Sequence, residues 1–97
     1  MIDKTSSDWD YYGRDGSGGE ITELYRMPAD KASPMDKLAA KQRLRKGLFW
    51  MDAGDDPALG NDWISGWFDF EDNRLTEAQA AALIADWVAR SDWPGRP

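Results

Sequence analysis

The residues most capable of chemistry come early. The stretch DYYGRDGSGGEITELY, residues 10–25, alternates acidic and small residues ahead of an isoleucine, as a calcium-binding EF-hand loop does. Such a loop needs oxygen ligands at positions 1, 3, 5, 7, 9 and 12, glycine at 6 and a bidentate glutamate at 12. With Asp8 as position 1, Asp10 and Gly13 fall correctly, but Tyr12 takes position 5 and Gly19 position 12. With Gly13 as position 1, Asp15, Ser17 and Gly18 fall correctly, but Leu24 takes position 12. Each register loses an essential ligand. The same letters suit a β-hairpin turn: glycine supplies positive φ, and Asp and Ser bond the local backbone. No metal site and no cofactor is expected.

Other candidates need weighing. The run KLAAKQRLRK places Lys37, Lys41, Arg43, Arg45 and Lys46 within ten residues, with Phe49 and Trp50 close behind. Cations beside stacking aromatics are how single-stranded nucleic acid is held. The plainer reading is a solvated helix face. Asp52, Asp55, Asp56 and Asp62, with Asp69, Glu71 and Asp72, could supply oxygen ligands or an acid/base pair, but no spacing organises them. Acids also serve ordinary loop and capping roles. The aromatics are the least ordinary feature: six of 97 residues are Trp. Trp63, Trp67, Phe68 and Phe70 crowd into eight residues, and Trp is over-represented at interface hot spots.

Absences narrow the chemistry. The chain has no cysteine, which removes disulfides, thiolate metal sites and cysteine nucleophiles. It has no histidine, which removes the usual general base and the commonest nitrogen ligand. A serine or threonine nucleophile would need a lysine or carboxylate base. An enzyme therefore ranks third among the functional readings. The net charge of −6 is unevenly spread, at −4 over residues 1–36, +5 over 37–46 and −7 over 47–97. The summed field repels phosphate, so nucleic-acid binding through 37–46 ranks second. First comes a small, acidic, non-enzymatic protein-binding module. Its partner would carry a basic or mixed apolar-basic surface, met by Trp63, Trp67, Phe68, Phe70, Asp69, Glu71 and Asp72. A composition that is short, acidic and rich in Trp, Ala, Asp and Arg is similar to small reading frames of high-GC bacteria and their phages. An inhibitor or accessory factor of phage or mobile-element type fits that habit.

These side chains need elements to position them. No apolar run approaches the roughly 20 residues of a membrane span, and MIDKTSSDWD lacks a signal core, so a cytoplasmic protein is expected. One small domain over 1–97 is expected, frayed at 1–7 and 92–97. Residues 8–14 and 20–27 read as the strands of a hairpin around Asp15–Gly19. Ser33-Pro34-Met35-Asp36 carries a helix-start signature, with helix formers after it and Gly47 as a stop. Leu48–Met51 reads as a third strand. Asp56-Pro57 starts a helix over 57–68, in which Leu59, Trp63 and Trp67 recur at i+4 and turn inward. Phe68 and Phe70 are then left exposed, because a domain this small covers one such face. A strand through Trp67–Phe70 is the alternative. Residues 71–75 read as a turn. Thr76-Glu77-Ala78-Gln79 is a capping box for a helix over 77–90, with Ala80, Leu83, Ile84, Trp87 and Val88 as its core stripe. A second stripe, Ala78, Ala82, Ala85 and Ala89, would permit close approach of another backbone. The expected fold is α+β: a small antiparallel sheet packed against two C-terminal helices.

Overall fold

The computed structural model describes residues 9–15, 20–31, 33–45 and 49–90. Residues 16–19, where the hairpin turn is expected, lie outside them, as do Ala32, Lys46, Gly47, Leu48 and the chain ends at 1–8 and 91–97. The hairpin forms as its letters require. β1 (Trp9–Asp15) pairs antiparallel with β2 (Ile21–Pro28), in a register that sets Tyr12 opposite Tyr25 and shifts after Arg14. α1 (Pro34–Ala39) is one and a half turns long. β3 (Gln42–Arg45) and β4 (Phe49–Asp52) follow, then α2 (Ala58–Ser65), β5 (Arg74–Leu75) and α3 (Glu77–Arg90). The five strands form one antiparallel sheet in the order β4-β3-β2-β1-β5. The fold is α+β, with two more strands than the sequence pattern indicates.

Alternation along the strands sorts their side chains onto two faces. Tyr11, Leu24, Leu44, Trp50 and Leu75 share one, and α3 packs on it through Ala80, Leu83, Ile84 and Trp87. Tyr12, Tyr25 and Met27 share the other, covered by Leu38 of α1, Leu59 of α2 and Phe68. The two C-terminal helices thus lie on opposite faces of the sheet. Trp87 is 2% exposed and Leu59 fully buried, so each helix is pinned by one side chain in its own small core. Val88 departs from the expected stripe and is half exposed. The alanine stripe faces solvent. Thr76 and Gln79 form the reciprocal cap of α3: Gln79 N–H donates to Thr76 Oγ1 at 3.0 Å, and Thr76 N–H to Gln79 Oε1 at 2.8 Å. Ser33 occupies the cap position of α1, but its hydroxyl makes no capping bond.

Gly13 shows why a glycine sits inside β1. An added Cβ would meet Ile21 Cδ1 at 2.9 Å and Leu75 Cδ1 at 3.2 Å, where the strands flanking β1 close over it. Its backbone also anchors the 69–73 turn. Gly13 N–H donates to Asn73 O, and Asn73 Nδ2 donates to Gly13 O, both at 2.9 Å.

A polar network ties α2 to the sheet. Arg14 donates to Asp62 Oδ2 at 2.6 Å and to Glu23 Oε1 at 2.9 Å. The Tyr25 hydroxyl donates to the same Glu23 oxygen at 3.1 Å, and Arg43 Nη1 lies 3.8 Å from Glu23 Oε2. Burial, reinforced by the Glu23 carboxylate, pushes the Tyr25 phenol above its ordinary value. Above about pH 10 the tyrosines of the unfolded chain ionise while Tyr25 in the fold keeps its proton. Its stabilising contribution is complete below that pH and declines as pH rises further. Tyr25→Phe is therefore expected to cost about 1–2 kcal/mol at neutral pH and to flatten part of the alkaline decline. Urea titrations between neutrality and pH 11 measure both; an alkaline slope equal to that of the parent would contradict the assignment.

Candidate protein-binding surface

α2 begins where Asp56 Oδ1 accepts the Ala58 N–H at 3.0 Å. It ends earlier than the i+4 pattern implies. Gly66 takes a left-handed φ of 89°, Gly66 N–H reaches Trp63 O at 3.3 Å, and Trp67 N–H reaches Asp62 O at 2.8 Å. These two bonds make a Schellman cap, which only glycine enters without strain. The chain leaves the helix axis at Gly66, and the residues beyond it no longer follow helical spacing. Trp67 is thrown outward and is 80% exposed, while Phe68 turns back and is 2% exposed. Helix 57–68 is thereby corrected to Ala58–Ser65, and the inward turn of Trp67 to an outward one.

The expectation that Phe68 and Phe70 stand exposed is also overturned. Phe68 packs on Tyr12 with ring centroids 5.8 Å apart. Phe70 is half-buried and meets Tyr12, Trp63 and Phe68 edge-on at 5.6, 5.7 and 5.2 Å. One face of the sheet absorbs Phe68, Phe70 and Trp63 together, because they pack as one cluster around Tyr12. What remains outside is Trp67 together with Ile64, also 80% exposed and three residues before it on α2.

The acids after Trp67 divide into two kinds. Asp69 Oδ1 accepts the N–H groups of Glu71 at 2.7 Å and Asp72 at 3.0 Å, while Asn73 Oδ1 accepts the Asp69 N–H. The bond from Asp72, then that from Glu71, holds the Asp69 carboxyl below its ordinary range. Asp69 is thus a turn-former fixed as an anion. Glu71 and Asp72 present exposed side chains beside it.

The basic segment is not a helical stripe. It breaks after α1 and continues as β3, so its charges fall on different sides. Lys37 pairs with Asp10 at 3.1 Å. Lys41 is 2% exposed, and its ammonium donates to Leu38 O at 3.2 Å and Asp56 O at 2.9 Å. Burial lowers its pKa, partly opposed by Asp56, Asp52 and Asp55. Arg43 is buried beside Glu23, and Arg45 lies against Met51 Sδ at 3.3 Å. The expected solvated basic face, and with it a continuous track for phosphates, is therefore not built from Lys41 and Arg43.

Elsewhere the Arg26 guanidinium is clasped between two indoles, 4.0 Å from the Trp9 ring centroid and 4.6 Å from that of Trp50. Gln42 Oε1 accepts its Nε–H at 2.7 Å. Trp9 and Trp50 thus stack on a cation rather than filling an apolar core alone. Among the described residues, no group of three or more carboxylates is placed to hold a metal ion, and no helix is long and apolar enough to cross a membrane. No protein-family model, curated protein or solved structure matches the chain.

Ile64 is the residue that sequence reasoning passed over. It sits in the same apolar run as Trp63. Only the placement of Leu59 and Trp63 against the sheet shows that Ile64 faces the other way.

Proposed function

We propose that this chain is a non-enzymatic protein-binding module whose contact surface is centred on Ile64 and Trp67. The observation that carries the reading is their exposure, 80% for each, at the capped end of α2. A rigid, capped backbone presents an indole and a branched aliphatic side chain to solvent at little entropic cost on binding, which is how anchor residues work. Glu71 and Asp72 follow within five residues and add negative charge to a chain whose net charge is already −6. The matching partner has an apolar groove with a basic margin. Burial of Ile64 and Trp67 supplies affinity, and the acids steer encounter. An inhibitor or accessory factor working in the cytoplasm, of phage or mobile-element type, remains the biological setting we favour on composition.

The charge half of this reading has its own test. For a partner captured on the wild-type chain, Glu71→Gln with Asp72→Gln is expected to slow association and reduce its dependence on salt, with dissociation little changed. Association that ignores both ionic strength and these substitutions would overturn the assigned partner chemistry.

A further inference from the structure

β4 closes one side of the sheet, and its outer edge has no strand partner among the described residues. Ala53 N–H donates to Lys41 O at 2.9 Å. Antiparallel pairs alternate between bonded and non-bonded. Continued through the register Arg43↔Met51 and Leu44↔Trp50, that bond turns the backbone groups of Met51 toward β3 and those of Trp50 and Asp52 toward the open side. Natural edge strands are guarded by shortness, by charges (lysine above all), by proline or by a bulge. β4, FWMD, is short and carries Asp52 at its end, but it has no lysine or proline, and its ladder with β3 runs without a register shift. Phe49 is 50% exposed and Met51 42%, and alternation places both on one side of the strand.

We infer that β4 pairs antiparallel with β4 of a second copy of this chain, about a two-fold axis at Met51. In this register Trp50 of each copy faces Asp52 of the other, and all four outward N–H and C=O groups of each strand are bonded. Met51 meets Met51 as a non-bonded pair. Phe49 meets Ala53 of the other copy. The charges fit the same arrangement. A recess of about 210 Å³ on this side is lined by Arg45 at one end of the strand pair, by Arg43 beside Met51, and by Asp52, Asp55 and Asp56 at the other end. Antiparallel pairing brings the Arg45 end of each copy to the aspartate end of its mate, twice over. Such self-complementarity is what a two-fold interface requires. Each copy carries a net charge of −6, so dimerisation strengthens as salt screens the long-range repulsion.

Sedimentation across a concentration series reads the association, and the absence of native cysteine allows one cross-link to report the register. The wild type is expected to form a dimer that tightens with moderate salt. Met51→Lys, which places like charges opposite each other at an exposed site, is expected to weaken it by about tenfold or more while the monomer melts normally. Met51→Cys, under mild oxidation, is expected to form the symmetric disulfide that a non-bonded strand pair permits. Trp67→Ala is expected to leave the dimer intact, which separates this inference from the binding surface proposed above. A wild-type chain that stays monomeric, a dimer indifferent to Met51→Lys, or a dimer whose Met51→Cys variant does not cross-link would each overturn it.

Discussion

Trp87→Ala is expected to remove about 3–5 kcal/mol of stability, as truncating a buried Trp does. The side chain is 2% exposed and fills the core between α3 and the sheet beside Leu24, Leu44 and Ala80. That core is small, and the alanine stripe of α3 lies outside it, so the stripe supplies no side chain to refill the space. Domains of this kind hold about 5–15 kcal/mol in all, so the variant is expected to be partly or wholly unfolded at 37 °C. Leu83→Ala, at a half-buried site, is expected to fall at the low end of the roughly 2–5 kcal/mol range for such truncations. Urea unfolding of the pair measures both. A Trp87→Ala variant that unfolds at the parent's midpoint would show that α3 is not docked on the sheet through this residue.

The second large effect lies on the opposite face. Phe68→Ala is expected to cost about 3–5 kcal/mol, because the ring is 2% exposed and packs on Tyr12 and Phe70. Trp67→Ala, one residue away, is expected to change stability by no more than about 0.5 kcal/mol, since the indole projects into solvent. Adjacent aromatics with opposite effects are the signature of the Gly66 cap. A helix continuing through Trp67 would reverse them.

The hairpin and α3 were the most legible parts of the chain. Their signals are local: a glycine-rich turn between β-formers, and a reciprocal Thr76–Gln79 cap ahead of a helical stripe. β3 was illegible for a specific reason. Lys, Arg, Gln, Ala and Leu all favour helix, so propensity extends α1 through Arg45. Tertiary partners decide otherwise: Arg43 reaches Glu23, Leu44 enters the α3 core, and β4 supplies a ladder. Lys41 looks like a surface cation until two carbonyls, Leu38 O and Asp56 O, are seen to enclose its ammonium. β5, two residues long, exists because Arg74 and Leu75 find β1 beside them. At the candidate surface the informative letter was Gly66. Inside a helix a glycine costs about 1 kcal/mol; as the residue after a helix end, Gly66 stops α2 and parts Trp67 from Phe68.

The central functional claim rests on Ile64 and Trp67, and one paired measurement meets it most directly. Wild type and a variant carrying Ile64→Ala with Trp67→Ala are compared in thermal melting and in affinity for a protein captured on the wild type. The expected result is a melting temperature within a few degrees of the parent, with binding weaker by about 2 kcal/mol or more. Undiminished binding by a variant that melts like the parent would contradict the claim.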